Sequence, residues 1–318
     1  MGESVKIRWV IAHEPLNLFL RAARDFEQRV NEQQSEKKIE IEIMTLTEYG
    51  IKYNNGVPVT KHNLLDLMDQ EKLEMSQMYT TWLAEKYEKD FLVYDLPYLF
   101  EDHDHATRVL EGEVGEELLS KLTEKSNVRG LSYTYSGGFR QLISNKKIST
   151  LEELSGTSQR SNRNHIAQET LKALGIKPYV CEVEDLRDEV LKGNCEGGET
   201  NYPRMYPLNQ HEVTESVIDS EHSLFLTSMI ISDSFWNSLS TEIQDIIKKA
   251  AILAGREERA ETIRDGEMAK QRLIAQGSTI HPLTEEERSL AKEKTQIVYE
   301  KFKDFFTPEL VEKIKKQG

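Results

Sequence analysis

Two arginines have the strongest claim to chemistry in this sequence. Arg140 follows the glycine pair Gly137-Gly138, and Arg160 lies near the end of the short run Ser158–Ser161, just ahead of a helix-forming segment. A guanidinium grips a carboxylate through two parallel hydrogen bonds, which fixes the orientation of the acid and neutralises its charge. The C-terminal end of a strand in an α/β sheet is also where ligands collect, beside the N–H groups of the next helix. A loop arginine on the surface would look the same in the sequence, so spacing alone leaves both roles open.

Catalytic signatures are scarce. No phosphate-binding GxxxxGK[ST], HExxH, GxGxxG or CxxC occurs, and the pairs His13-Glu14 and His211-Glu212 lack a second histidine four residues after the first. Gly193-Asn194-Cys195-Glu196-Gly197 fits G-x-C-x-G, the cysteine form of a nucleophile elbow. That elbow needs a strand before it and a helix after it, and here the order is reversed. A helix-ending glycine followed by a buried cysteine is the plainer reading. A hydrolase using Cys195 is thus a weak alternative, and no metal or cofactor is expected.

The elements that must position the arginines follow from hydrophobic periodicity. Lys6–Ala12 and Lys38–Met44 alternate as strands, and Leu16, Phe19, Leu20, Ala23, Phe26 and Val30 keep helical spacing behind Pro15. This β-α-β start points to an α/β fold with parallel pairing. Gly50–Thr60 reads as a loop, His62–Gln70 as a helix, Leu73–Met78 as a strand, and Leu96–Phe100 as extended at Pro97. Helices follow near His103–Glu111 and Glu113–Thr123, then a strand at Val128–Thr134. Gly137-Gly138 breaks the chain, and Phe139–Ser144 resumes as a strand carrying Arg140. Next come a strand at Ser158–Ser161, a helix at Asn164–Leu174, a strand at Lys177–Val183 and a helix at Asp185–Lys192 ended by Gly193. Val213–Ile218 and Ser223–Ser232 are strands, and the proline-free stretch Ser240–Gln276 is one long helix. Thr279–Pro282 is a last strand, and Thr284 with Glu287 forms a capping box before a helix to about Phe305.

The bulk numbers fit this reading. A chain of 318 residues with 38% hydrophobic and 30% charged residues suits two packed lobes. A net charge of −14 argues against nucleic acid and anionic membranes as partners, yet allows a small anion inside a local arginine field. No apolar run reaches the ~18 residues needed for membrane insertion. Met1–Lys6 shows no signal peptide, so the protein is cytoplasmic or its signal has been removed. Cys181 and Cys195 could pair in an oxidising compartment, although two buried thiols are the simpler expectation.

Several segments, in order and with the right gaps, resemble the substrate-binding proteins of tripartite ATP-independent periplasmic (TRAP) transporters, the family of the dicarboxylate-binding receptor. They are Ala12-His13-Glu14-Pro15, the run from Asp95 to Phe100, Gly138-Phe139-Arg140-Gln141-Leu142 with Ser144-Asn145, and Leu151 to Gly156 leading into Ser158-Gln159-Arg160. Lys192 to Thr200 corresponds to the family's D-G-x-E-N segment, and Phe235 to Leu239, Gln244 and Ala250-Ala251 to a later stretch. Thr200 replaces the family's usual asparagine, with Asn201 beside it, and Arg163 is an unusual charge next to the arginine strand.

The resemblance implies a two-lobed periplasmic-binding-protein-like fold, with an interlobe cleft, hinge strands near Gly137-Gly138 and a long helix spanning both lobes. The expected lobes are 1–137 with about 226–265, and 138–225 with about 266–318. It implies a receptor, not an enzyme, that binds a small organic carboxylate such as a dicarboxylate, keto acid or sugar acid. Arg160 is the expected salt-bridge partner of the ligand and Arg140 its assistant. His13, Tyr79, Trp82, Asn162, Arg163, Thr200 and Asn201 are further candidate wall residues. The implied partners are the small and large membrane permease subunits. The implied location is the periplasm, or a lipid-anchored extracytoplasmic position in a Gram-positive cell. A ligand-sensing subunit that feeds a signalling receptor would share the same fold.

Overall fold

A computed structural model describes residues 4–13, 16–33, 35 and 37–318. Pro15, which the sequence places at the opening of the first helix, lies outside the described residues, as do Glu14 and, in the leading stretch, Met1 to Glu3. The first strands are β1 (Val5–Val10), β2 (Ile39–Met44), β3 (Met75–Tyr79), β4 (Val128–Phe139), β5 (Gln141–Ser144) and β6 (Ser158–Ser161). They are followed by β7 (Lys177–Val180), β8 (Gly197–Thr200), β9 (Ser216–Asp219), β10 (Leu224–Ser232) and β11 (Thr279–Pro282).

The chain divides into two compact units. Unit 1 holds residues 1–89, 107–136 and 226–261, and unit 2 holds 90–106, 137–225 and 262–318. The sequence reading assigned 90–106 to the first lobe, but these residues group with unit 2, and their polar contacts show why. Thr307 N donates to Asp90 Oδ1 at 2.8 Å, Tyr98 N to the His222 carbonyl at 2.8 Å, and Tyr299 Oη to the Pro97 carbonyl at 2.7 Å.

Unit 1 is built on the sheet β2-β1-β3-β10-β4. β1 pairs parallel with β2 and β3, and β3 pairs antiparallel with β10. The helix Asn17–Asn31 buries Leu18, Phe19, Ala22, Ala23, Phe26 and Val30, the i, i+4, i+7 stripe of its sequence. Phe26 meets Trp9 of β1 with ring centroids 5.2 Å apart. The periodicity gives no sign of three short helices of this unit, Leu46–Tyr53, Thr80–Lys86 and Asp233–Asn237. The first starts at a capping box in which the Thr45 side chain accepts from Glu48 N, a signal hidden by the glycine and proline that follow.

Unit 2 is built on β11-β9-β5-β8-β6-β7. Leu142 lies opposite Ile218, and Ile143 opposite Val217. Successive strand residues face opposite sides of a sheet, so both faces are apolar and both need helices over them. Leu142 and Ile218 pack with Leu171 and Ala291. Ile143 and Val217 pack with Leu186, Val190 and Leu273. The 35-residue helix Thr241–Ala275 runs through residues of both units. The expected capping box at Thr284 and Glu287 starts the helix Glu285–Phe302, and an unforeseen helix, Pro308–Lys315, follows.

Gly137-Gly138 does not break the chain where expected. β4 continues through both glycines, at φ 108° and 75°, and ends at Phe139. Arg140 is therefore the junction between β4 and β5 rather than a residue within a strand. Gly137 is needed because of Asn201: a Cβ built on it would fall 2.7 Å from the Asn201 Cβ. Leu96–Phe100 is likewise not extended throughout, since Tyr98 takes φ 53° after the 3-10 turns of Lys89–Asp95.

Candidate functional site

Arg160 sits on β6 directly opposite Gly198 of β8. A Cβ on Gly198 would lie 2.6 Å from the Arg160 Cβ, so this glycine is what lets a large cation lie flat between two strands. Arg160 is only 4% exposed. Its Nε donates to the Cys181 carbonyl at 2.9 Å and its Nη1 to the Glu199 carbonyl at 3.4 Å. These bonds fix the plane of the guanidinium. Neither bond uses Nη2. Burial holds the Arg160 pKa below its ordinary value; the Glu199 charge raises it, while Arg140 and Arg204 lower it further.

Arg140 is also buried, and its backbone N donates to the Ser223 carbonyl at 2.8 Å. Its Nη1 lies 3.3 Å from Glu199 Oε1, and its Cζ stands 3.9 Å above the Phe225 ring. The Arg204 Cζ lies 4.7 Å from the same ring.

Glu199 is the acid that these cations share. Oε1 faces Ser161 Oγ and Asn162 N, each at 3.4 Å, and Oε2 faces His222 Nε2 at 3.5 Å. The other ring nitrogen of His222 meets Ser220 Oγ at 2.8 Å. Burial would push the Glu199 carboxyl up, but Arg140, His222 and Arg160 outweigh it and hold the group at about 2. The carboxylate stays ionised and pairs with Arg140, while Arg160 donates to the backbone carbonyl of the same residue.

The sequence reading did not single out Glu199, His222, Arg204 or Phe225. Glu199 had a readable signal, as a carboxylate in the tiny strand Gly-Gly-Glu-Thr one residue before a chosen threonine. His222 and Phe225 become neighbours of Arg140 only through the backbone bond between Arg140 and Ser223, which no local pattern announces.

The remaining candidates separate by environment. Thr200 is buried, but its hydroxyl donates to Gln210 Oε1 at 2.6 Å and is thus committed within the protein. Asn162 Oδ1 accepts from Asn164 N at 2.9 Å, beside the start of the helix His165–Ala173. Arg163 does not turn inward: its side chain is 83% exposed and pairs with Glu182 at 3.3 Å. A charge has no reason to leave water when its only strong partner is itself on the surface. In unit 1, His13 Nδ1 and Tyr79 Oη are 2.7 Å apart, both buried. The Tyr79 ring meets Trp82 edge-on at 5.2 Å, and Trp82 stacks on His62 at 4.7 Å.

Cys195 is 2% exposed among Leu186, Val190, Tyr202 and Met205, and burial pushes its thiol up to about 11. Gly193 before it takes φ 78° at the end of the helix Leu186–Leu191, which is a helix stop and not a nucleophile elbow. Both cysteines are free thiols. Cys181 follows β7 beyond Ser161 and Cys195 precedes β8 below Gln159, so β6 separates them end to end, past disulfide reach.

Two α/β units, one of which carries buried arginines clasping an acid at a strand end, describe the class of two-domain solute-binding proteins. Residues 11–304 match bacterial extracellular solute-binding protein family 7, and the chain belongs to that family. It is 27% identical over 280 residues to the C4-dicarboxylate-binding periplasmic protein DctP of Rhodobacter capsulatus, a match covering 84% of this chain and 83% of the relative. It is 26% identical to the C4-dicarboxylate-binding protein DctB of Bacillus subtilis, covering 70% and 63%. The fold is that of a TRAP periplasmic solute-binding protein of Shewanella oneidensis with bound succinate, at TM-score 0.82, 20% identity and 99% coverage of each chain. A Pseudomonas putida counterpart with bound D-glucuronate gives TM-score 0.79 at 22% identity, covering 98% and 96%. No helix among the described residues is long and apolar enough to cross a membrane.

Proposed function

We propose that this protein captures a small organic carboxylate on Arg160 and Arg140 and delivers it to the small and large membrane subunits of a TRAP transporter. The observation that carries this reading is the buried guanidinium of Arg160, held in plane by two carbonyls with Nη2 left for an incoming acid. The ligands named for its relatives, C4-dicarboxylates, succinate and D-glucuronate, all bear a carboxylate. The receptor works outside the cytoplasmic membrane and releases its cargo unchanged. Cys195, the one residue with a nucleophile-like motif, is a buried thiol whose ionisation is suppressed.

Calorimetric titration with dicarboxylates, keto acids, uronates and aldonates tests this reading, with a thermal-shift screen as a first pass. Arg160→Lys keeps a cation but loses the planar fork. A charged hydrogen bond is worth about 1.5–3 kcal/mol, so the bound acid should weaken by about 10- to 100-fold. Undiminished binding of that acid by Arg160→Lys would refute the arginine site.

A further inference from the structure

A cavity of about 590 Å³ opens between the helix Glu113–Lys125, the start of β4 and the long helix Thr241–Ala275. Its lining residues all belong to unit 1, and none of them takes part in the arginine site. Glu116, Ser120, Thr123 and Glu124 come from one face of the first helix. Arg129 comes from β4 and Lys248 from the long helix.

Lys248 is the unusual group. It is half-buried, and its Nζ donates to the Leu131 carbonyl at 2.8 Å. β4 is the outermost strand of its sheet, so this carbonyl has no further strand to bond, and the lysine takes that place. No carboxylate among the described residues pairs with the amine. Other lysines do have such partners: Lys121 lies 2.8 Å from Glu117, and Lys172 lies 2.7 Å from Glu169. An ammonium taken out of water without a counter-ion loses more than a neutral amine does. Burial therefore holds Lys248 below the ordinary lysine value; Glu116 raises it in part, and Arg129 lowers it again. A lysine that is desolvated and set near a second cation keeps a free lone pair closer to neutral pH, and that is the form that attacks a carbonyl carbon.

We infer that Lys248 is a covalent modification site for short neutral aldehydes. The amine nitrogen adds to the aldehyde carbon to give a carbinolamine. Both nitrogen-bound hydrogens then leave with the aldehyde oxygen as water, and the imine forms. The bond to Leu131 steadies the nitrogen during the addition. The surrounding charge selects a neutral electrophile. Arg129 is already matched by Asp233, with Nε and Nη2 each 2.8 Å from Oδ1, and its Cζ lies 5.4 Å from the Trp236 ring. With Lys248 neutral, Glu116 and Glu124 make the lining net negative, which repels an anionic aldehyde. Ser120 and Thr123 offer hydroxyl oxygens to a hydroxylated one.

Reductive trapping on the full chain tests this. The protein is incubated with limiting glycolaldehyde and cyanoborohydride, which reduces the imine to a stable secondary amine, at neutral pH and again at about pH 10, near the ordinary lysine value. Mass spectrometry of a Glu-C digest follows each lysine, with the exposed Lys249 as the internal reference. Lys248 should react at least about threefold faster than Lys249 at neutral pH, and the ratio should fall toward one at about pH 10, where both amines are free. Glyoxylate, the anionic counterpart, should give a lower ratio. Lys248→Arg should remove the fast adduct, with folding checked by thermal melt; if that variant fails to fold, the wild-type ratios decide alone. A ratio below about threefold at neutral pH, a ratio that does not fall as pH rises, or one that glyoxylate leaves equal or raises would overturn the inference. No arm involves Arg140 or Arg160, so acid binding stands or falls separately.

Discussion

Replacing Glu199 with glutamine isolates the charge that holds the arginine site together. Glutamine keeps the shape of the side chain and can still accept from Asn162 N and Ser161 Oγ, but it offers Arg140 and His222 no negative partner. A carboxyl held at about 2 instead of its usual 4.5 is worth roughly 3 kcal/mol of stability at neutral pH, at about 1.4 kcal/mol per tenfold change in proton affinity. Breaking a buried pair by removing one partner costs about 3–5 kcal/mol, which agrees in size. For a chain of this length the expected loss is about 6 °C in Tm, taking roughly 2 °C per kcal/mol. The direction with pH follows from a depressed carboxyl. The wild-type advantage is full above the unfolded-state value near 4.5 and fades as pH falls toward 2. Thermal unfolding by circular dichroism of both proteins, from pH 7 down to about pH 2.5, measures the gap. Equal melting temperatures at pH 7, or a gap that does not narrow below pH 4.5, would refute the assignment of Glu199 as the counter-ion.

Two further substitutions probe the supporting structure. Gly137→Ala forces a side chain into φ 108° and against Asn201, so it should cost about 2 kcal/mol or more in a denaturant titration; a neutral effect would mean that the β4 end relaxes freely. Arg163→Ala removes an exposed side chain and should change stability by less than about 0.5 kcal/mol and leave acid affinity unchanged; a large affinity loss would place that charge at the ligand after all.

Much of the fold was legible because local patterns and tertiary needs agreed. The alternation in β2, the apolar stripe of the helix Asn17–Asn31 and the capping box at Thr284 each survive without knowledge of their neighbours. Misses fell where burial overrides pattern. The segment Gly-Gly-Glu-Thr reads as strand or loop, and it is a strand whose glycines make room for Arg160 and Gln159 rather than bend the chain. The helix Thr80–Lys86 escaped notice because its threonines and tryptophan fit a strand equally well.

What the sequence determined by itself is the chemistry on offer: arginines at strand ends, an acidic surface, and strands and helices whose periods fix which faces are apolar. Only the tertiary structure decided which arginines work together. Arg140 and Arg160 are twenty positions apart, and Arg163 is nearer still to Arg160, yet strand register brings Arg140 and Arg160 onto Glu199 while Arg163 stays in water. Register is set by backbone pairing between distant segments, and that pairing selects which charges are buried together and which remain solvated.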